Sequence, residues 1–290
     1  QGGVALGDRG TLVFTGEFTK SDATSRTRQR PDAEAFQAAN PNLDVPNPVQ
    51  RWGQPDLRSV RGAVNADYEI ADGATIYAFG AVGSGEGVTD FNWRNPAGTA
   101  NVYNPSTAFP GFSFRSLYPA GFTPRFGTKY DDFQTAGGLR GEVGDAFTYD
   151  LSTSLGRSRI NYNMGESLNA SLGPNSPTSF YLGRLRQGEF NLNADFVYRL
   201  PLGMAEPANI AFGAERRKET YAIRPGDPAS YAIGPGAATG LAPNSNGFPG
   251  FSPLSAGEWS QTSYAGYLDV EVKPTQMLTL GAAGRYEDFS

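Results

Sequence analysis

Apolar and polar residues alternate with period two through several stretches of this chain, and that restricts its fold more than any other feature. Val60, Val64, Ala66, Tyr68 and Ile70 fall on one side, Arg61, Asn65, Asp67 and Glu69 on the other. Phe190, Leu192, Ala194, Phe196, Tyr198 and Leu200 oppose Asn191, Asn193, Asp195 and Arg199. The same pattern appears around Leu12, Phe14 and Phe18, around Phe147, Tyr149 and Leu151, from Tyr264 to Val272, and from Leu278 to Tyr286. A period of two is that of a strand whose faces meet different surroundings. Charges keep to one face while aromatic rings stand near the ends of the other, which matches a wet lumen and a lipid face with interfacial girdles.

The links between these stretches alternate in length. Short ones occur at Ala71-Asp72-Gly73, at Gly144-Asp145-Ala146, between Pro201 and Pro207, and at Lys273-Pro274-Thr275. Long ones run roughly over 21–57, 83–132, 163–185 and 224–258. Up-and-down barrels of the outer membrane pair short periplasmic turns with long extracellular loops in this way. The expected fold is therefore all-β: an antiparallel transmembrane β-barrel segment of about nine strands, cut from a larger barrel and open as it stands. Residues 1–290 would form part of that one domain. Phe196, Tyr198, Leu268, Val270 and Leu280 should face lipid, and Asn193, Asp195, Asp269, Glu271 and Arg285 the lumen. A soluble β-sandwich or propeller also alternates, but would turn its apolar faces inward and need no sorting of loops by length.

Composition agrees. Glycine (37) and proline (21) fill a fifth of the chain, aromatics 12% and charged residues only 18%, which suits strands and turns better than helices. No cysteine and no histidine is present, so thiolate chemistry, histidine triads and His-ligated metals are excluded. A net charge of −5 speaks against a nucleic-acid partner. Nothing calls for a cofactor. The adjacent carboxylates Asp131-Asp132 and Glu287-Asp288 would point to opposite faces of a strand and so could not converge on a substrate. Gly83-Ser84-Gly85-Glu86-Gly87 lacks the lysine and following helix of a phosphate cradle and reads as the start of a flexible loop. Asn169-Ala170-Ser171 fits a glycosylation sequon, a frequent chance match.

Phe109-Pro110-Gly111-Phe112-Ser113 recurs as Phe248-Pro249-Gly250-Phe251-Ser252, with a related turn at Tyr118-Pro119-Ala120-Gly121-Phe122. Pro-Gly favours a type II turn that brings the flanking rings together. These phrases belong to an ordered series: YPAGF at Tyr118, GGLRGEVGDAFTYDLSTSLGRSRINYN from Gly137, SLNASLGPNSPTSFYLG from Ser167, AFGAERRKETYAI from Ala211, GDPASY from Gly226, GFPGFSP from Gly247 and GRYEDFS from Gly284. ALGDRGTLVFTGEFTKSDATSR and ADGATIYAFG precede them. The series resembles the barrel region of TonB-dependent outer-membrane receptors over nearly the whole chain.

That resemblance implies a bacterial outer-membrane location and a wall of about twenty-two strands around an N-terminal plug. It implies no enzymatic activity. It also implies an internal barrel fragment without the plug or the TonB-contact motif. Partners would be the TonB complex, reached through the missing N-terminal parts, outer-membrane lipid, and a nutrient such as a ferric siderophore or an oligosaccharide. The expected function is TonB-dependent import, with a passive porin or a soluble all-β carbohydrate-active enzyme as alternatives. In the segment from Gly83 to Tyr130, Phe91, Trp93, Tyr103 and Tyr118 could stack on a catecholate or sugar ring, and Arg94, Arg115 and Arg125 could pair with an anionic chelate. The competing role for each ring is to pack the loops on one another.

Overall fold

The computed structural model describes residues 1–98 and 101–290. Ten antiparallel strands form one sheet in sequence order, each hydrogen-bonded only to its neighbours in the chain. They are β1 (Gly2–Ala5), β2 (Gly10–Ser21), β3 (Asp56–Ala71), β4 (Ala74–Asp90), β5 (Arg125–Val143), β6 (Phe147–Gly165), β7 (Phe180–Leu200), β8 (Glu206–Pro225), β9 (Gly257–Thr275) and β10 (Leu278–Phe289). The sheet has two free edges, β1 and β10, and does not close. One strand more than expected is present, because β1 is only four residues long and shows no alternation of its own.

Short connections (6–9, 72–73, 144–146, 201–205 and 276–277) lie at one end of the sheet. The long ones (22–55, 91–124, 166–179 and 226–256) all lie at the other. Strands run further than the sequence suggests at the second of these loops. Gly83 to Gly87 is not a loop but part of β4, paired residue for residue with Thr128 to Asp132.

The register sorts side chains into two faces, since directly paired residues point the same way. One row crosses the sheet as Thr75, Arg140, Asp150, Asp195, Gly213, Tyr267 and Arg285. The next row on the opposite face is Ile76, Leu139, Leu151, Ala194, Ala214, Gly266 and Tyr286. The five residues expected on the lipid side and the five expected in the lumen separate along these rows.

Among the described residues, no element packs against the apolar face. Phe18 (60% exposed), Val82 (62%) and Leu268 (52%) stand open, while Phe147, Phe196 and Phe212 stack along it at centroid spacings of 5.8 and 5.2 Å. A bare apolar face of this width is the kind that a barrel wall turns toward hydrocarbon.

Glycines placed opposite aromatic rings hold the sheet together. Tyr267 crosses Gly213 to donate its hydroxyl to Asp195 Oδ1 at 2.6 Å, and Tyr77 crosses Gly138 to reach Asp150 Oδ1 at 2.7 Å. A Cβ on Gly213 would sit 2.5 Å from the Tyr267 ring, and one on Gly85 would sit 2.6 Å from that of Tyr130. Gly85 is therefore glycine because a ring from the next strand lies on it, which is why this Gly-rich run can stay in a strand.

Candidate functional site

Burial concentrates in the long loops, which fold into a cap with its own packed clusters. In loop 22–55 the helix α1 (Pro31–Ala39) starts on a proline at its first turn, a position where the missing N–H costs nothing. Its Ala33 and Phe36 bury against Val45, Val49 and Trp93, with the Phe36 and Trp93 rings edge-to-face at 6.0 Å. Arg30 and Asp32 form an ion pair at 2.9 Å at its start. Hydrogen bonding from Arg30 holds the Asp32 carboxyl below its ordinary range.

A second cluster joins three loops through Val102, Tyr103, Phe114, Phe122, Leu168 and Leu241. A third closes the mouth of the polar face: Met164, Phe180 and Leu182 are buried beneath Phe91, Phe126 and Tyr162. Phe248 and Phe251 reach down onto Phe126 and Tyr162 at 5.5 and 6.0 Å.

The loops are also tied by polar contacts. The Asn169 amide donates to the carbonyls of Ala229 and Ala232 at 2.8 and 2.9 Å and is fully buried, so the sequon there cannot carry a glycan in the folded protein. Asp90, at the tip of β4, accepts three hydrogen bonds from Arg51: from the backbone N–H at 2.9 Å, and from Nε and Nη2 at 3.1 Å each. Burial pushes the Asp90 carboxyl up, but these bonds and the nearby charge outweigh it and hold the group below its ordinary range.

Six of the seven candidate residues lie in this cap, and the seventh, Arg125, is the first residue of β5 beneath it. Trp93 is buried, donates Nε1–H to the Ala120 carbonyl at 3.2 Å and fits against Gly121, whose φ of +81° turns the backbone away from the indole. Tyr103 is buried too; its hydroxyl donates to the Tyr118 carbonyl at 3.1 Å, and burial raises its pKa. Tyr118 is half-buried, tilted on Phe122 at 4.8 Å, and Phe91 meets Phe126 edge-on at 5.8 Å. Arg94 reaches across to Asn246 Oδ1 at 2.6 Å, and burial lowers its pKa. Arg115 and Arg125 are exposed. Arg115 lies over the Tyr103 ring at 5.7 Å, and Arg125 bridges to Glu166 at 3.1 Å.

The structure thus places the seven at the loop end of the sheet, six in the loop 91–124 and Arg125 at the start of β5, with Arg115 and Arg125 at the surface and the Trp93 and Tyr103 rings in the interior. Sequence reasoning missed Phe126, Tyr162 and Gln50, whose Oε1 accepts the Trp93 N–H at 2.7 Å. The lumen-facing parity of Phe126 and Tyr162 was the available signal.

The duplicated phrase takes two conformations. At 109–112 it is a type II turn: Gly111 has φ +74° and the Phe112 N–H reaches the Phe109 carbonyl at 3.1 Å. At 248–251 it is not, because the Phe251 N–H bonds the Leu182 carbonyl at 2.8 Å instead and the left-handed residue is Gly247.

Below the cap, the polar face holds a trough of about 700 Å³. Glu17, Arg61, Tyr130, Asp132, Gln134, Gln187 and Glu189 line it. Asp131 points to the other face, where it bonds Arg159 and Ser84, so the adjacent carboxylates do not converge. Such a surface can hydrogen-bond a polar solute or another protein segment inside the lumen.

No known protein family matches the chain, and no curated protein matches it by sequence. Among solved structures, a doubly substituted ferric enterobactin receptor, PfeA, from Pseudomonas aeruginosa superposes with a TM-score of 0.54 at 10% identity, over 99% of this chain. This chain spans 36% of that receptor's length. The ferric-catecholate import receptor Fiu from E. coli K12 gives 0.36 at 13% identity, over 99% of this chain and 51% of that one. The toluene transporter TodX from P. putida gives 0.33 at 11%, over 96% and 63%. The first likeness establishes the fold: an antiparallel up-and-down sheet with the topology of part of that receptor's β-barrel wall.

Proposed function

We propose that this chain forms part of the wall and outer loops of a bacterial outer-membrane receptor, which imports a scarce nutrient with energy delivered through TonB. The observation that carries the reading is the open ten-stranded up-and-down sheet, bare and apolar on one face, polar on the other and capped at one end. Its fold likeness to a ferric enterobactin receptor supports that choice. The favoured cargo is a ferric siderophore, an anionic chelate with aromatic or hydroxamate arms; an oligosaccharide is the other candidate. Arg115 and Arg125 at the loop surface would meet the anionic ligand, with Phe91 and Tyr118 offering ring edges. Trp93, Arg94 and Tyr103 would hold those four in place.

The test is uptake of labelled ferric siderophore by cells expressing or lacking the full-length protein, with and without TonB, after iron starvation. Import that requires both proteins supports the reading. Import that persists without TonB would instead make this a passive porin. Absence of any iron-linked uptake, together with oligosaccharide uptake, would replace the cargo.

A further inference from the structure

The polar face of the sheet carries an exposed aromatic pair. Tyr221 on β8 and Trp259 on β9 are directly paired, and the same row continues through Gln187 and Ser158 to Asp132, which puts both rings on the face of the trough. They are 41% and 52% exposed and stacked at 6.3 Å, with 26° between the ring planes. Both stand near the loop end of their strands, on the lumen wall beneath the cap. The backbone makes room for this platform. A Cβ on Gly257 would sit 2.7 Å from the indole, so the Trp259 ring lies along its strand on that glycine and turns its other face to the lumen.

One step along the strands, about 7 Å away, the same face carries Glu189 paired directly with Glu219, and Glu219 with Gln261. Like charges facing one another across a ladder destabilise a sheet. The chain relieves this pair on one side only. Arg217 lies 3.9 Å from Glu219 but is drawn to Glu287 at 3.2 Å, and Glu189 accepts a hydrogen bond from the Asn191 amide at 2.6 Å. Among the described residues, Glu189 has no cation within ion-pair distance.

Rings and carboxylates together define what would fit. The face of an indole or phenol ring attracts a cation held within about 6 Å of its centroid. Elsewhere on this face the chain supplies that cation itself, as Arg140 does over the Tyr77 ring at 5.2 Å. Among the described residues, no arginine or lysine lies over Tyr221 or Trp259.

We propose that Tyr221 and Trp259 form a seat for a small organic ammonium ion on the lumen wall. Glu219 and Glu189 supply the counter-charge, and the exposed amides of Gln187 and Gln261 meet the polar substituents of the ligand. A neutral sugar could stack on the rings but would leave the opposed carboxylates uncompensated, and an inorganic cation would leave the rings unused. The ligand is distinct from the anionic chelate proposed for Arg115 and Arg125, which these carboxylates would repel. The site contains none of the seven candidates at the loop end.

The test is isothermal titration calorimetry on the full-length protein in a sugar-free detergent, with choline, its neutral isostere 3,3-dimethylbutanol and maltose as probes. Choline should bind saturably and about tenfold more tightly than the isostere. Trp259→Leu should weaken choline binding about three- to thirtyfold, and Glu219→Gln about threefold. No choline binding, or equal binding of the isostere to the unaltered protein, would overturn the inference without requiring any variant to fold. So would unchanged choline affinity in a Trp259→Leu protein that keeps its heat-modifiable barrel, or tighter binding of maltose, which would make the rings a sugar platform. None of these outcomes depends on which cargo the loops take, so this site and the import reading fail separately.

Discussion

Replacing Asp90 with asparagine should loosen the first long loop without unfolding the wall. The Asp90 side chain is 6% exposed and accepts three hydrogen bonds from Arg51, two of them from the guanidinium, with Arg125 at 3.9 Å behind. Hydrogen bonds to charged groups contribute about 1.5–3 kcal/mol each, and asparagine keeps some acceptor capacity, so a net loss of about 1.5–3 kcal/mol in local stability is expected. That corresponds to about 10- to 150-fold faster opening-limited exchange of the Arg51 amide. Hydrogen exchange on the full-length protein, corrected for intrinsic rates, reads this directly. The pH dependence follows from the lowered carboxyl. Because the folded pKa lies below the unfolded value of about 3.9, the contribution is complete above that value and disappears as pH falls through the folded pKa. Wild-type protection should therefore fall toward that of Asp90→Asn only below the ordinary carboxylate range, and the variant should show no such step. Equal protection of Arg51 in both proteins at neutral pH would refute the anchor.

Leu268→Arg places a charge on the bare apolar face and should cost about 2–4 kcal/mol near the membrane midplane, read as a lower denaturant midpoint for the barrel in lipid. Gly213→Ala should push Tyr267 off Asp195 and cost about 1–3 kcal/mol in the same assay, whereas Gly16→Ala, which would meet nothing within 4 Å, should be near neutral. Gly121→Ala should displace the Trp93 indole and shift its emission to the red, and no change would mean that the close approach is not obligatory. Residues 1–290 expressed alone should collect in inclusion bodies, because β1 and β10 present unpaired edges; a soluble monomer would contradict this.

What the sequence showed and what it hid have one physical cause, the distance over which each contact acts. Alternation is local, so the faces of β3, β7 and β9 could be read residue by residue, and the sorting of loops by length followed from their ends. The strand status of Gly83 to Gly87 was hidden because it depends on Tyr130, a ring from the next strand that lies on Gly85. β1 was hidden because GGVA carries no pattern and exists through its pairing with Val13 and Phe14. The cap was hidden most. Trp93 rests on Phe36 and Gln50, and Arg94 on Asn246, partners drawn from two other loops. The two Phe-Pro-Gly-Phe copies make the point within one sequence. The copy at 109–112 closes on itself, whereas the copy at 248–251 gives its Phe251 N–H to Leu182 and its Gly250 N–H to Ser230. Identical local preferences yield different backbones when β7 supplies a better acceptor, so a binding role for any one loop ring must be judged from what already covers it. By that criterion the interior rings Trp93 and Tyr103 are scaffold, and the proposed ligand contact is better sought at the exposed Arg115 and Arg125 with the edges of Phe91 and Tyr118.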